Sequence, residues 1–232
     1  MNEPDPNAET EIHPPTESEE STTLQQALVK ANVKLDTAFH EPVDAYCRSL
    51  WEWNQHLNLT RHDSYDKFVT RDLIDTIEVG GLIPIGQHVL DVGTGGGVPG
   101  VVLSLIRPDL KVTVCDSVTK KAKAVNEMVA QLEIPVTVVH ARAEELLEMS
   151  SFDTLTARAV GSLLRILTWF EGSWSSIGQL LLIKGPKWVE ERGEARHHGK
   201  MNGLELRKVA EYPIPGCDWN SVILNITNKS KT

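Results

Sequence analysis

The sequence predicts an α/β protein: a doubly wound, seven-stranded, mostly parallel sheet with its last strands antiparallel, behind an N-terminal helical annex. Three observations carry this prediction. After Pro84 short β-rich runs alternate with helical segments, the first such run ends in a cluster of glycines, and the last two runs are joined by a short turn-rich stretch. Strand–helix alternation builds a parallel sheet covered on both faces, and a tight connection pairs neighbouring strands antiparallel.

Residues 1–23 hold seven acids, no Lys or Arg and almost nothing apolar, and are expected to be a disordered acidic tail. From Leu24 the spacing turns helical. Leu24, Leu28, Ala31 and Leu35 recur at three or four residues, then Val43, Tyr46, Leu50, Trp53 and Leu57, and a third helix covers about 65–79. These segments make an annex over residues 24–82, and the sheet domain takes residues 83–232. Strands are predicted at 88–92, 111–115, 136–139, 154–157 and 179–184, with helices at 100–106, 118–131, 143–149, 163–171 and 189–196. Residues 204–211 and 221–227 form the antiparallel pair, and no internal repeat is visible.

Composition sets bounds on function. The net charge of −9 is largely a property of the tail, because the remaining chain carries 23 basic residues against 25 acidic ones (32 less the tail's seven). Such a near-neutral body leaves a nucleic-acid partner to be decided by local patches. No apolar run reaches the roughly 20 residues that span a bilayer, and no leader pattern stands at the N-terminus. Cys47, Cys115 and Cys217 are scattered, with no C-x-x-C pair, which points to a reducing cytoplasm and away from a zinc site.

The glycine cluster carries the chemistry. Val89-Leu90-Asp91-Val92 is a buried strand, followed directly by Gly93-Thr94-Gly95-Gly96-Gly97, then Val98-Pro99-Gly100 opening a helix. Glycines let backbone approach a ligand closely, and the helix start is expected to face a ligand carboxylate. Gly95 to Gly100 formally matches the dinucleotide fingerprint G-x-G-x-x-G, a weak signal alone. The frame Asp91-x-Gly93-x-Gly95-x-Gly97 is the first motif of S-adenosylmethionine sites. Asp116, ending the second strand, suits the two ribose hydroxyls of either cofactor. Tyr46, Tyr65 and Tyr212 have no Lys four residues on, so the Tyr-x-x-x-Lys pair of short-chain dehydrogenases is missing. S-adenosylmethionine is therefore the expected cofactor, with an NAD-binding oxidoreductase or sensor as the alternative from another class.

The other strand tips complete the candidate site. Ala143 and Glu144 follow the third strand, where adenine is expected, although acids in a first helical turn also serve the helix alone. Ala157-Arg158-Ala159 ends the fourth strand. It lacks the (Asp/Asn)-Pro-Pro-aromatic segment of enzymes that methylate exocyclic amines, and no Cys is placed to attack pyrimidine carbon. An acceptor with a ready lone pair, such as a purine ring nitrogen, fits. Arg158 and Lys184 are the candidate catalytic residues, Lys184 at the mouth of the fifth strand for a phosphate or guanine oxygen. Ordinary strand termination by a solvated Lys is its plain alternative. Residues 184–210 hold seven basic side chains against four acids, a modest candidate nucleic-acid surface.

Taken in order, Trp53-Asn54-x-x-x-Asn58-Leu59-Thr60, Asp91 to Gly100, Asp116-Ser117 with Lys120-Lys121, Arg142-x-Glu144, Phe152-Asp153 with Arg158-Ala159, and Lys184-Gly185 form a specific set. From about residue 24 to the C-terminus the chain resembles the bacterial small-subunit ribosomal RNA methyltransferase G family, also called glucose-inhibited division protein B. The resemblance implies the class I S-adenosylmethionine-dependent methyltransferase fold and N7 methylation of one guanine in 16S rRNA, free or within the small ribosomal subunit. It also implies cofactor contacts at Gly93, Val98, Ala143, Glu144 and Arg158, to which the loop reading adds Gly95 and Asp116. A small molecule or protein acceptor is the alternative with the same cofactor, and neither metal nor membrane is expected. Arg158 beside a sulfonium repels it, so its guanidinium is expected to reach a carboxylate, phosphate or guanine oxygen. Asn54 and Asn58 read as packing and capping residues. The family's usual Arg-His before an Asp-Ser pair is here Arg71-Asp72 with Asp75-Thr76, which puts any role of that His in doubt.

Overall fold

Apart from Asp91, β1 (His88–Val92) is apolar over its last four residues and buried on both faces. Such a strand belongs in the middle of a covered sheet, and there it lies. With β2 (Lys111–Asp116), β3 (Val136–His140), β4 (Phe152–Arg158), β5 (Ile177–Lys184), β6 (Leu204–Pro213) and β7 (Asn220–Asn228) it forms one sheet, ordered β3-β2-β1-β4-β5-β7-β6. The first five strands are parallel, and β7 runs antiparallel to both β5 and β6. The computed structural model describes residues 20–229.

The chain leaves β1 for β2 and β3 on one side and returns to β4 on the other. That reversal opens a crevice between the ends of β1 and β4, where doubly wound sheets bind their ligands. Predicted elements are found, with edges shifted. β4 begins at Phe152, whose pairing with Ile177 lengthens the strand, and β6 runs on to Pro213 past a register shift between Lys208 and Ala210.

Alternation sorts the strand side chains between two cores. Val89, Val112, Val114, Leu181 and Ile183 share one core with α5 (Gly100–Ile106) and α6 (Thr119–Gln131). Leu90, Cys115, Leu155, Ala157 and Leu182 share the other with α7 (Ala143–Met149) and α8 (Leu163–Trp169); α9 (Trp188–His197) adds Ala195 to the second core.

The annex joins the first core. α1 (Leu24–Lys30) and α2 (His40–Asn54) stop sooner than the apolar spacing predicts: Asn32 turns the chain at φ +53, and Asn54 accepts from the N–H groups of Leu59 and Thr60. The third helix is α3 (Tyr65–Lys67), a π-helical segment (Phe68–Leu73) and α4 (Ile74–Gly80) in succession. Leu28, Tyr46, Leu50 and Phe68 pack in the same core as Val101 and Met128. Of the predicted tail, residues 1–19 lie outside the described residues. Residues 20–23 are placed: Thr23 caps α1, and the Ser21 N–H donates to Asp66 Oδ2 at 3.1 Å. No helix among the described residues is long and apolar enough to cross a membrane.

Candidate active site

β1 feeds directly into a loop whose backbone favours glycine, with Gly93, Gly95 and Gly97 at φ +65, +61 and +111. A Cβ on Gly93 would stand 2.6 Å from Val160 Cγ1, so the residue after the β4 tip closes directly on the loop. Beneath it the Tyr46 hydroxyl donates to the Gly96 carbonyl at 2.8 Å, and annex helix α2 thereby holds the loop from below. One expectation is corrected. The first N–H of α5 is not open to a ligand carboxylate, because Asp91 Oδ2 accepts from Gly100 N at 3.1 Å while Oδ1 accepts from the Thr156 hydroxyl at 2.9 Å. Burial pushes the Asp91 carboxyl up to about 6.

Between loop and β4 tip lies a hollow of about 310 Å³ that brings together Gly93, Asp116, Ala143 and Glu144. Asp116 Oδ2 accepts from the Gly95 N–H at 3.0 Å, and Oδ1 from the Val118 N–H at 2.8 Å. Each oxygen keeps a lone pair for a ligand. Gly95 thus meets Asp116 and does not line the hollow. Val98 also stands off that wall: its N–H donates to Thr94 O at 3.2 Å and its side chain packs toward the annex core. Glu145 accepts from the Arg142 N–H at 3.2 Å, while Glu144 lines the hollow with Arg142 Nη1 3.7 Å from its Oε1. Opposite, Arg165 lies over the Trp169 ring at 5.0 Å, and both line the hollow. A backbone cradle that a Cβ would fill, a held carboxylate and an aromatic wall fit a nucleoside.

Ala159, at φ +56, is shared between this hollow and a larger cleft of about 1000 Å³. A non-glycine residue in that conformation carries roughly 1–2 kcal/mol of strain, here placed at the wall between two cavities. Arg158 and Lys184 line the cleft, not the hollow. The Arg158 guanidinium is ion-paired with both annex carboxylates: Nη2 donates to Asp72 Oδ1, Nη1 to Asp75 Oδ2 at 3.0 Å and to the Arg71 carbonyl at 3.2 Å. This carboxylate pairing answers the problem of a cation near a sulfonium, and it raises Arg158 above its already high basicity despite burial. His62 Nδ1 lies 2.7 Å from the same Asp72 oxygen, and the Tyr212 hydroxyl donates to Asp75 Oδ1 at 2.7 Å. Lys184 donates to Gly161 O at 2.6 Å and Glu191 Oε2 at 2.7 Å, so it is engaged rather than solvated.

Asp72, Asp75, Tyr212, Tyr46 and Trp219 had not been singled out as site residues from sequence. Asp72 and Asp75 showed only as departures from a pattern, and no local spacing joins them to Arg158. Asn54 caps as expected, while Asn58 stands on the cleft wall. The basic stretch 184–210 is less cationic than its count: Lys184, Lys200, Arg207 and Lys208 are each paired with a glutamate. On the cleft rim, by contrast, neither Arg61 nor Arg71 is ion-paired among the described residues. No cluster of metal-ligating side chains occurs among the described residues either.

A family model for rRNA small subunit methyltransferase G (GidB) matches residues 40–214. The chain belongs to this family. A ribosomal RNA small subunit methyltransferase G of Rhodopirellula baltica is 52% identical over 191 residues, covering 82% of this chain and 83% of that one. One from Xanthomonas oryzae is 35% identical, covering 79% and 84%. Among solved structures, the O-methyltransferase from Bacillus cereus in complex with SAH superposes with a TM-score of 0.58 at 13% identity, covering 88% of this chain and 96% of that one. The precorrin-6y C5,15-methyltransferase from Geobacter metallireducens gives 0.50 at 13% identity over 73% and 90%. The seven-stranded sheet is that of class I S-adenosylmethionine-dependent methyltransferases.

Proposed function

We propose that this protein methylates N7 of a guanine in 16S rRNA, using S-adenosylmethionine, in the cytoplasm. The observation that carries the reading is that Ala159 lines both the hollow with Asp116 and Glu144 and the larger cleft rimmed by Arg61 and Arg71. Asp116 accepts from the ribose hydroxyls, with Gly95 and Val118 fixing its carboxylate. Gly93 gives the backbone room, and Ala143 with Glu144 meets the adenine edge. Gly95 and Val98 shape the loop that holds the methionine end. The bound cofactor supplies an electrophilic methyl group.

The chain's own work is alignment and exclusion of water. Near the β4 tip Asp72 and Asp75 are ion-paired with Arg158, and His62 Nδ1 lies 2.7 Å from Asp72. Guanine N7 carries a lone pair and no proton, so methyl transfer to it requires no base. Arg158 acts as a positioning residue that clamps the annex to β4, and Lys184 positions Gly161 and α9. Arg61 and Arg71 offer unpaired cations to RNA phosphates.

Labelled S-adenosylmethionine is incubated with small subunits, free 16S rRNA, and protein and metabolite fractions from cells lacking this gene. Label recovered as 7-methylguanosine is expected. Label only in protein or small molecules would overturn the rRNA reading. A thermal shift with NAD(H) and none with S-adenosylmethionine would overturn methyl transfer itself, since a ligand at 100 times its Kd adds about 2.7 kcal/mol.

A further inference from the structure

The cleft wall carries an indole, Trp219, that the alignment just described does not use, with the guanidinium of Arg71 laid against it. β7 runs antiparallel to β5, with Lys184 opposite Val222. Trp219, just before β7, therefore arrives beyond the end of β5, at the carboxyl ends of the parallel strands. Its indole is partly buried against the annex core and lines the cleft together with Arg158 and Ala159. From the π-helical segment Arg71 lays its guanidinium 4.8 Å from the indole centroid, with Nη1 donating to Cys217 Sγ at 3.3 Å. The Arg71 carbonyl is the third partner of Arg158, so the clamp on the annex also fixes where this arginine starts.

A planar cation over a planar indole is a surface for another plane. Arginine's guanidinium is weakly hydrated and stacks, and single-stranded RNA bases are held on aromatic rings and arginine planes. A phosphate needs charge but no ring, and an aliphatic or peptide acceptor needs neither. We infer that Trp219 and Arg71 form the platform on which the acceptor purine stacks, holding its N7 edge toward Ala159. The inference rests on the rRNA reading and names the residues that would give it base specificity.

The test measures methyl transfer to small subunits from a strain lacking this methylation, with kcat, KM for the particle and Kd for S-adenosylmethionine. Trp219→Leu keeps apolar packing and removes the ring, and should lower kcat/KM at least fivefold, up to about 150-fold. Trp219→Phe should restore it to within about threefold, and Arg71→Lys, which keeps charge without the plane, should also fall at least fivefold. Cofactor Kd should stay unchanged in all three. Full activity of Trp219→Leu, equal loss in Trp219→Phe, or a parallel loss of cofactor affinity would overturn the platform. Wild-type protein that labels no RNA would overturn the rRNA reading and the platform together, whereas labelled RNA with an indifferent Trp219→Leu removes the platform alone.

Discussion

The hollow and the cleft share Ala159 yet are built in opposite ways. The hollow is made mainly from four strand tips, each a run of contiguous residues, with Arg165 and Trp169 of α8 opposite them. The cleft is made of long side chains from segments far apart in the chain, held by ion pairs such as Arg158 to Asp75, 83 residues away. Contiguous construction leaves a motif that substitution in one place destroys. Convergent construction leaves no motif, and it concentrates buried charge where two halves of the molecule meet.

If the cleft is held by buried charge, Arg158→Ala should damage the fold first. Removing the guanidinium, only 18% exposed, leaves two buried carboxylates with no cation but His62 beside Asp72 and only the Tyr212 hydroxyl on Asp75, a loss on the order of 3–5 kcal/mol. Urea unfolding checks this; a stable but inactive variant would return Arg158 to the reacting atoms.

The buried support of the glycine loop should show its own charge cost through pH. With the folded-state value of Asp91 raised to about 6 by burial, the native protein binds this proton more tightly than the unfolded chain near 4. Asp91 therefore stabilises at low pH, and that contribution falls away as pH rises from about 4 to about 6, by roughly 3 kcal/mol. The difference in stability between wild type and Asp91→Asn, measured at pH 4.5 and 7, should move by most of that amount. A constant difference would show that Asp91 does not titrate in this window.

Asp116→Ala removes the acceptor of two loop N–H groups and should weaken S-adenosylmethionine binding by about 1.5–3 kcal/mol, read by calorimetry; unchanged binding would refute its ribose role. The smallest effect is expected at Lys184. In Lys184→Met, Glu191 keeps the Leu163 N–H and partial contact with water. Stability should fall by about 1–2 kcal/mol, as the Gly161 carbonyl and Glu191 lose a largely buried donor, and kcat/KM for rRNA by less than tenfold. A hundredfold loss would place the ammonium on the substrate.

The same contrast explains what could be read in the sequence. The β1 loop, Asp116, Ala143 and Glu144 were legible because each follows a strand end and needs no distant partner. Gly95 and Val98 were legible as loop residues, but which faced the hollow was not, since Asp116 takes the Gly95 N–H. Asp91 was legible as motif, while its place at the start of α5 required the third dimension. The π-helical segment kept a helical apolar spacing and so hid among ordinary turns. Asp72, Asp75 and Trp219 became site residues only when folding brought them to Arg158 and Arg71.

The clamp around Arg158 also sets an order of events during synthesis. The annex leaves the ribosome first, carrying Asp72 and Asp75, but Arg158 follows 83 residues after Asp75 and Tyr212 follows 137 after it. Its carboxylates stay in water until nearly the whole chain has emerged, and contacts of such long separation form slowly. The first segment made is thus among the last to be completed, and a nascent chain cut short before β6 still lacks the Tyr212 hydroxyl that finishes the cluster.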